Sequence, residues 1–232
     1  MLTVNALRSG YGSTPILHEA SLTVADGEIV ALIGRNGMGK TTFLKAVLGL
    51  LPRWSGTVEF DGRDMTRLPT HRMIRAGVGY APQEEALFSS FSVEENLRGG
   101  QLSGSAPAEA WDEVLETFPL LGLRLKQQAG TLSGGEQRML LVGRALLARP
   151  RLLLIDEICD GLHPPVVARV VEILRVYRER HGMSVLIVEP NLKAVLDVAD
   201  RVLVMKRGAF VLERDPTEKG ARESLERELV FS

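Results

Sequence analysis

The chain has 232 residues, 45% of them hydrophobic and 25% charged, a composition that excludes a disordered segment and leaves room for a sizeable core. Its formal net charge is −1, with Lys and Arg spread along the sequence, so nothing points to a nucleic-acid surface. The lone cysteine, Cys159, excludes an intramolecular disulfide and a cysteine-based metal cluster, and fits a reducing, cytosolic setting.

The first residues, Met1 to Gly12, lack the apolar core of a signal peptide, and no apolar run nears the ~20 residues of a membrane-spanning helix. A role at a membrane therefore requires docking onto a partner. The first strong element is Ile29 to Ile33, a continuous apolar run suited to a strand buried on both faces. It leads into Gly34-Arg35-Asn36-Gly37-Met38-Gly39-Lys40-Thr41-Thr42, two glycines spaced by four residues and followed by Lys and Thr, and then into a helical pattern over Lys40 to Leu50. A glycine-rich turn lets successive backbone N–H groups converge on one anion, and the helix N-terminus adds partial positive charge. In this pattern Lys40 reaches the β- and γ-phosphates of a nucleoside triphosphate and the Thr41 hydroxyl ligates Mg²⁺.

Thr57 to Phe60, followed by Asp61-Gly62, reads as an antiparallel hairpin, and Val78 to Ala81 as another buried strand. Residues 92 to 148 contain no convincing strand. Ser92 and Glu95 have capping-box spacing at the start of one helix, and Trp111, Leu115 and Phe118 share a face of the next. Ser133 and Glu136 repeat the capping-box spacing, so a further helix begins there with N–H groups directed at a potential anion.

Leu152 to Ile155 is an apolar strand that delivers Asp156 and Glu157 at its C-terminal end, where ligands gather in open α/β sheets. Asp156 suits a Mg²⁺ site and Glu157 suits polarisation of a water attacking a γ-phosphate. A helical pattern over Val166 to Arg180, a strand over Val185 to Val188, and Val202 to Glu213, interrupted by Arg207-Gly208, complete the alternation. The last segment reads as a second hairpin that joins the first in a side sheet.

The string Leu132-Ser133-Gly134-Gly135-Glu136-Gln137 resembles the signature of ATP-binding cassette (ABC) proteins, and the resemblance extends over essentially the whole chain. It implies an α/β P-loop NTPase fold with a mostly parallel core sheet, an antiparallel side sheet and an inserted helical subdomain. The chain would be one cassette, its core lobe spanning about residues 1–90 and 149–232 and its helical lobe about 91–148. The resemblance further implies that Tyr11 stacks on adenine, that Gln83 senses Mg²⁺ and the attacking water, and that Ser133, Gly134, Gly135 and Glu136 close over ATP held by a second cassette. Transmembrane permease subunits would dock on the helical lobe and on the segment after Gln83, at the cytoplasmic face of the membrane, with a solute-binding protein as an indirect partner.

The chain departs from the family pattern at Ile158, where proline is usual, at His163, where aspartate is usual, and at Pro190, where a switch histidine is usual. Proline offers neither a side-chain donor nor an N–H, so local turnover is expected to be reduced. His18, His71 and His181 lie in no phosphate-facing motif, and surface roles are expected for them. The strings Arg67 to His71, Gly77 to Gln83 and Gly130-Thr131 resemble cassettes that serve importers of branched-chain amino acids, urea and amides, a group in which two unlike cassettes often pair. Two alternatives stay open: a nucleotide-gated, weakly hydrolysing half of an asymmetric heterodimer, and a cassette ATPase unconnected with transport.

Overall fold

A computed structural model describes residues 1–83, 87–100, 108–159 and 162–230. The chain opens with a long hairpin, β1 (Leu2–Tyr11) and β2 (Thr14–Val24), then enters β3 (Ile29–Ile33), α1 (Lys40–Leu48), β4 (Arg53–Phe60), β5 (Arg63–Asp64), α2 (Thr70–Arg75) and β6 (Val78–Ala81). Helices α3 (Val93–Arg98), α4 (Ala108–Thr117), α5 (Pro119–Leu123) and α6 (Gly134–Leu146) follow, with a 3₁₀ turn at Ala129–Thr131. The last stretch alternates β7 (Leu152–Asp156), α7 (Pro164–His181), β8 (Ser184–Val188), α8 (Leu192–Val195), β9 (Arg201–Lys206), β10 (Ala209–Arg214) and α9 (Ala221–Val230).

The core sheet has the order β10-β9-β3-β8-β7-β6, parallel except for β10 at its edge. The expected side sheet exists, in the order β2-β1-β4-β5, but the hairpin over Val202 to Glu213 does not belong to it. Val30 to Ile33 pair in parallel with Arg201 to Val204, so β9 and β10 extend the core sheet instead. The physical reason is burial: Val202 to Met205 are all buried, which suits a strand covered on both faces and not a half-exposed side sheet.

The partners that complete the side sheet are β1 and β2, which the sequence reading did not predict. Their alternation is broken by irregularities between Val4 and Leu7 and between Leu7 and Ser9, with Ala6 and Glu19 at positive φ. Each bulge shifts the side-chain period by one residue and so hides a strand from a period-2 count.

Apolar layers cover both faces of the core sheet. Leu152, Leu154, Val30 and Leu32 face α1 and the side sheet, where Phe43, Leu44 and Val47 pack against Leu2, Val4 and Val58. On the opposite face Leu153, Ile155, Val185 and Ile187 meet α6 and α7 through Leu140, Val170 and Leu174. Helix α1 stops at Leu48, short of the predicted Leu50, because Gly49 takes the left-handed conformation that caps it. The Arg53 guanidinium braces that end, donating to the carbonyls of Ala46, Val47, Met65 and Thr66.

Both predicted capping boxes form, at Ser92 with Glu95 and at Ser133 with Glu136. Trp111 and Leu115 lie on α4, whereas Phe118 lies just beyond its end and is buried. The Arg98 guanidinium sits 4.8 Å from the Trp111 ring centroid, a cation–π contact between α3 and α4. Gln101 to Pro107, inside the predicted helical insert, and Glu84 to Ala86, after Gln83, lie outside the described residues.

Candidate functional site

The site is built where β3 and β7 end on either side of β8 in the sheet. The loop from Gly34 to Gly39 turns β3 into α1, and a side chain at Gly34 would bring its Cβ to 2.5 Å from the Met205 carbonyl oxygen. Gly37 and Gly39 also take positive φ, which leaves the loop's N–H groups unobstructed by Cβ atoms.

Lys40, the first residue of α1, is 3% exposed, and its ammonium donates to the carbonyl oxygens of Gly34 at 2.9 Å and Arg35 at 3.2 Å. It also lies 3.1 Å from Glu157 Oε1. The other Glu157 oxygen accepts from Gln83 Nε2 at 2.8 Å. Thr41 Oγ1 donates to Asp156 Oδ1 at 2.9 Å, and the Tyr80 hydroxyl approaches Asp156 Oδ2 at 3.4 Å. Lys40, Gln83 and Glu157 therefore form one bonded group and Thr41 and Asp156 another, set side by side because Lys40 precedes Thr41 and Asp156 precedes Glu157 in the chain.

Glu157 holds a left-handed backbone at φ 46°, fixed by its N–H donating to Val188 O at 2.8 Å. A non-glycine residue there stores conformational strain, a feature that concentrates at functional sites. The loop after it is tied down by a residue that the sequence reading left without a role. Glu189 is fully buried and its carboxylate accepts the Cys159 N–H at 2.8 Å. Burial, with the nearby Glu189 carboxylate adding to it, raises the Cys159 thiol well above its usual range, so it stays protonated.

A cleft of about 400 Å³ is lined by Tyr11, Ile16, Asn36, Lys40, Gln83 and Glu157. Gly37, Gly39, Thr41 and Thr42 also line it, whereas Gly34, Arg35 and Met38 do not. Tyr11 is 48% exposed, so part of its ring is open to solvent beside the cleft. Ser133, Gly134, Gly135 and Glu136 do not reach this cleft. Their helix start is exposed at Ser133 and Gly134, with Glu136 paired to Arg124 at 3.0 Å. Pro190 lines a different cleft, of about 520 Å³, between α7 and α8. His163 is the exposed N-cap of α7, and Asp160 and Gly161 lie outside the described residues.

Burial raises the Asp156 carboxyl above its ordinary range; the neighbouring Glu157 adds to this, while the bonds from Thr41 and Tyr80 oppose it. A carboxyl with a raised folded value contributes stability that is full below its ordinary 3.8 and is lost as pH rises through the folded value. Asp156→Asn is therefore expected to stabilise the nucleotide-free protein at neutral pH, with the advantage shrinking toward pH 4. Urea unfolding at pH 5 and pH 7.5 measures the difference.

Chemically, the site sets an ammonium and backbone N–H groups beside a hydroxyl, two carboxylates and a carboxamide. Thr41 and Asp156 supply hard oxygen donors, which fit Mg²⁺. Among the described residues no group of three His, Cys, Asp or Glu side chains could hold a metal alone.

The family model described as ABC transporter matches residues 17–160. The chain belongs to the ABC transporter family. The branched-chain amino acid transport ATP-binding protein BraG of Pseudomonas aeruginosa is 40% identical over 214 residues, covering 91% of each chain. The lipopolysaccharide export ATP-binding protein LptB of Escherichia coli is 36% identical over 222 residues, covering 94% of this cassette and 91% of LptB. The solved cassette MJ1267 superposes with a TM-score of 0.88 at 26% identity, covering 100% of this chain and 97% of that one. The cassette is thus an ATP-hydrolysing subunit of a transporter, and among its described residues no helix is long and apolar enough to cross a membrane.

Proposed function

We propose that this cassette powers an importer of branched-chain amino acids or related small solutes such as urea and amides, bound peripherally to permease subunits at the cytoplasmic face of the membrane. BraG, 40% identical, and the sequence strings from Arg67 to His71 and from Gly77 to Gln83 favour that solute class over the cargo of LptB, at 36%. A solute-binding protein is the expected indirect partner. The helical segment around α3 to α6 forms a lobe that, with the segment after Gln83, meets the permease.

The single observation that carries the ATPase reading is the pair of adjacent bonded groups, Lys40 with Gln83 and Glu157 and Thr41 with Asp156, at one cleft. Lys40 and the N–H groups from Gly34 to Thr42 hold the triphosphate, and Tyr11 stacks on adenine. Thr41, Asp156 and Gln83 hold Mg²⁺, which when bound neutralises charge on the phosphates. Glu157 polarises the attacking water, so catalysis is mainly positioning and charge stabilisation. Ser133 to Glu136, which do not line the local cleft and are exposed at Ser133 and Gly134, complete the ATP site of a second cassette.

Pro190 supports a second reading, in which this chain is the weakly hydrolysing half of a heterodimer: it brings no side-chain donor and lines the cleft between α7 and α8. Both are tested by phosphate release from the purified chain with Mg²⁺-ATP, alone and with its permease. Turnover in the homodimer supports the first reading. Tight ATP binding without turnover supports the second, and absence of ATP binding overturns both.

A further inference from the structure

We propose that Tyr80 is a positioning residue for the Mg²⁺ site, holding the Asp156 carboxylate so that its outward oxygen stays aligned with Thr41. The inference rests on the reading of Asp156 as the metal-holding carboxylate.

The strand register puts the two side chains on the same face. Tyr80 on β6 pairs with Leu154 on β7, and Leu152, Leu154 and Asp156 alternate onto the face that meets α1. Each Asp156 oxygen is thereby assigned a different donor, Thr41 Oγ1 on Oδ1 at 2.9 Å and the Tyr80 hydroxyl on Oδ2 at 3.4 Å.

The two donors are not equivalent. The Thr41 hydroxyl belongs to the phosphate loop, and its lone pairs can serve a cation while its O–H still donates to Asp156. Tyr80 stands on the core sheet, half-buried against the apolar layer that faces α1. It supplies the donor on Oδ2, the oxygen that Thr41 does not reach. Partners in this outer position fix the orientation of a metal ligand, and their loss typically weakens metal affinity by roughly 10- to 100-fold.

The distance of 3.4 Å is long for O–H···O.

The experiment measures ATP affinity against Mg²⁺ concentration for the wild-type chain, Tyr80→Phe and Asp156→Asn, with ATP binding in EDTA and nucleotide-free urea unfolding as controls. Phenylalanine keeps the packed ring and removes only the donor. The expected result is a Mg²⁺ half-saturation raised about 10-fold in Tyr80→Phe, with affinity in EDTA and the unfolding midpoint unchanged, and Mg²⁺ dependence abolished in Asp156→Asn. A wild-type Mg²⁺ curve in Tyr80→Phe beside a lost one in Asp156→Asn overturns the role of Tyr80 alone. Equal weakening with and without Mg²⁺ in Tyr80→Phe marks a purely structural residue and also overturns it. An unchanged Mg²⁺ curve in Asp156→Asn overturns the metal reading itself, and the inference with it.

Discussion

Replacing Glu157 by glutamine is expected to lower ATP turnover roughly 10²- to 10⁴-fold, or about 3 to 5 kcal/mol of transition-state stabilisation, while ATP binding is kept or improved. The amide has the shape of the carboxylate and still accepts from Gln83, so the 2.8 Å contact to that side chain survives. It has no charge with which to draw the proton of an attacking water. The gain in binding follows from the ion pair. The Lys40 ammonium is 3.1 Å from Glu157 Oε1, both side chains being almost wholly buried. An incoming phosphate must compete with that carboxylate for Lys40. Removing the charge frees the ammonium, and ATP affinity should rise severalfold. Phosphate release and isothermal titration of the same preparation read both effects. Turnover within about tenfold of wild type would remove Glu157 from the role of general base.

The residues of the candidate site could be picked out because each piece is local in sequence. The phosphate loop is nine consecutive residues, Gly34 to Thr42, the paired carboxylates follow one apolar strand, and both capping boxes show in a four-residue window. What stayed hidden depends on residues far apart or on broken periodicity. The bulges of β1 and β2 erase the alternation that marks a strand, so half of the side sheet went unpredicted. The hairpin over Val202 to Glu213 was recognised but placed in the wrong sheet, because a hairpin signal is silent on which strand its edge will meet. Tyr80 looked like any aromatic residue in a strand. Its link to Asp156 arises only from the β6–β7 register. The role of Glu189 as an anchor for Cys159 likewise crosses thirty residues of sequence.

Gly208 is the strongest case of such a hidden junction, and Gly208→Ala is expected to destabilise the chain by about 3 kcal/mol or more. It sits in the β9–β10 turn at φ 74°, beside Arg207 at φ 46°. Its N–H donates to the Met38 carbonyl at 2.9 Å, and its carbonyl accepts the His18 N–H at 2.9 Å. One residue thus ties the phosphate loop to the β2 strand whose Ile16 lines the nucleotide cleft. A Cβ on Gly208 would stand 1.7 Å from the Ile16 carbonyl oxygen, so β2 must move or the turn must open. Either response shifts Ile16 relative to Lys40 and should weaken ATP binding together with stability. Gly62→Ala separates the causes. Gly62 has a similar φ of 70° but nothing within 4 Å of its would-be Cβ, so only the backbone term applies, about 1 kcal/mol. Urea unfolding and ATP titration of the two variants distinguish them. Equal losses in both would mean that left-handed strain alone sets the cost, and that the contact between the β9–β10 turn and β2 does not hold the cleft in shape.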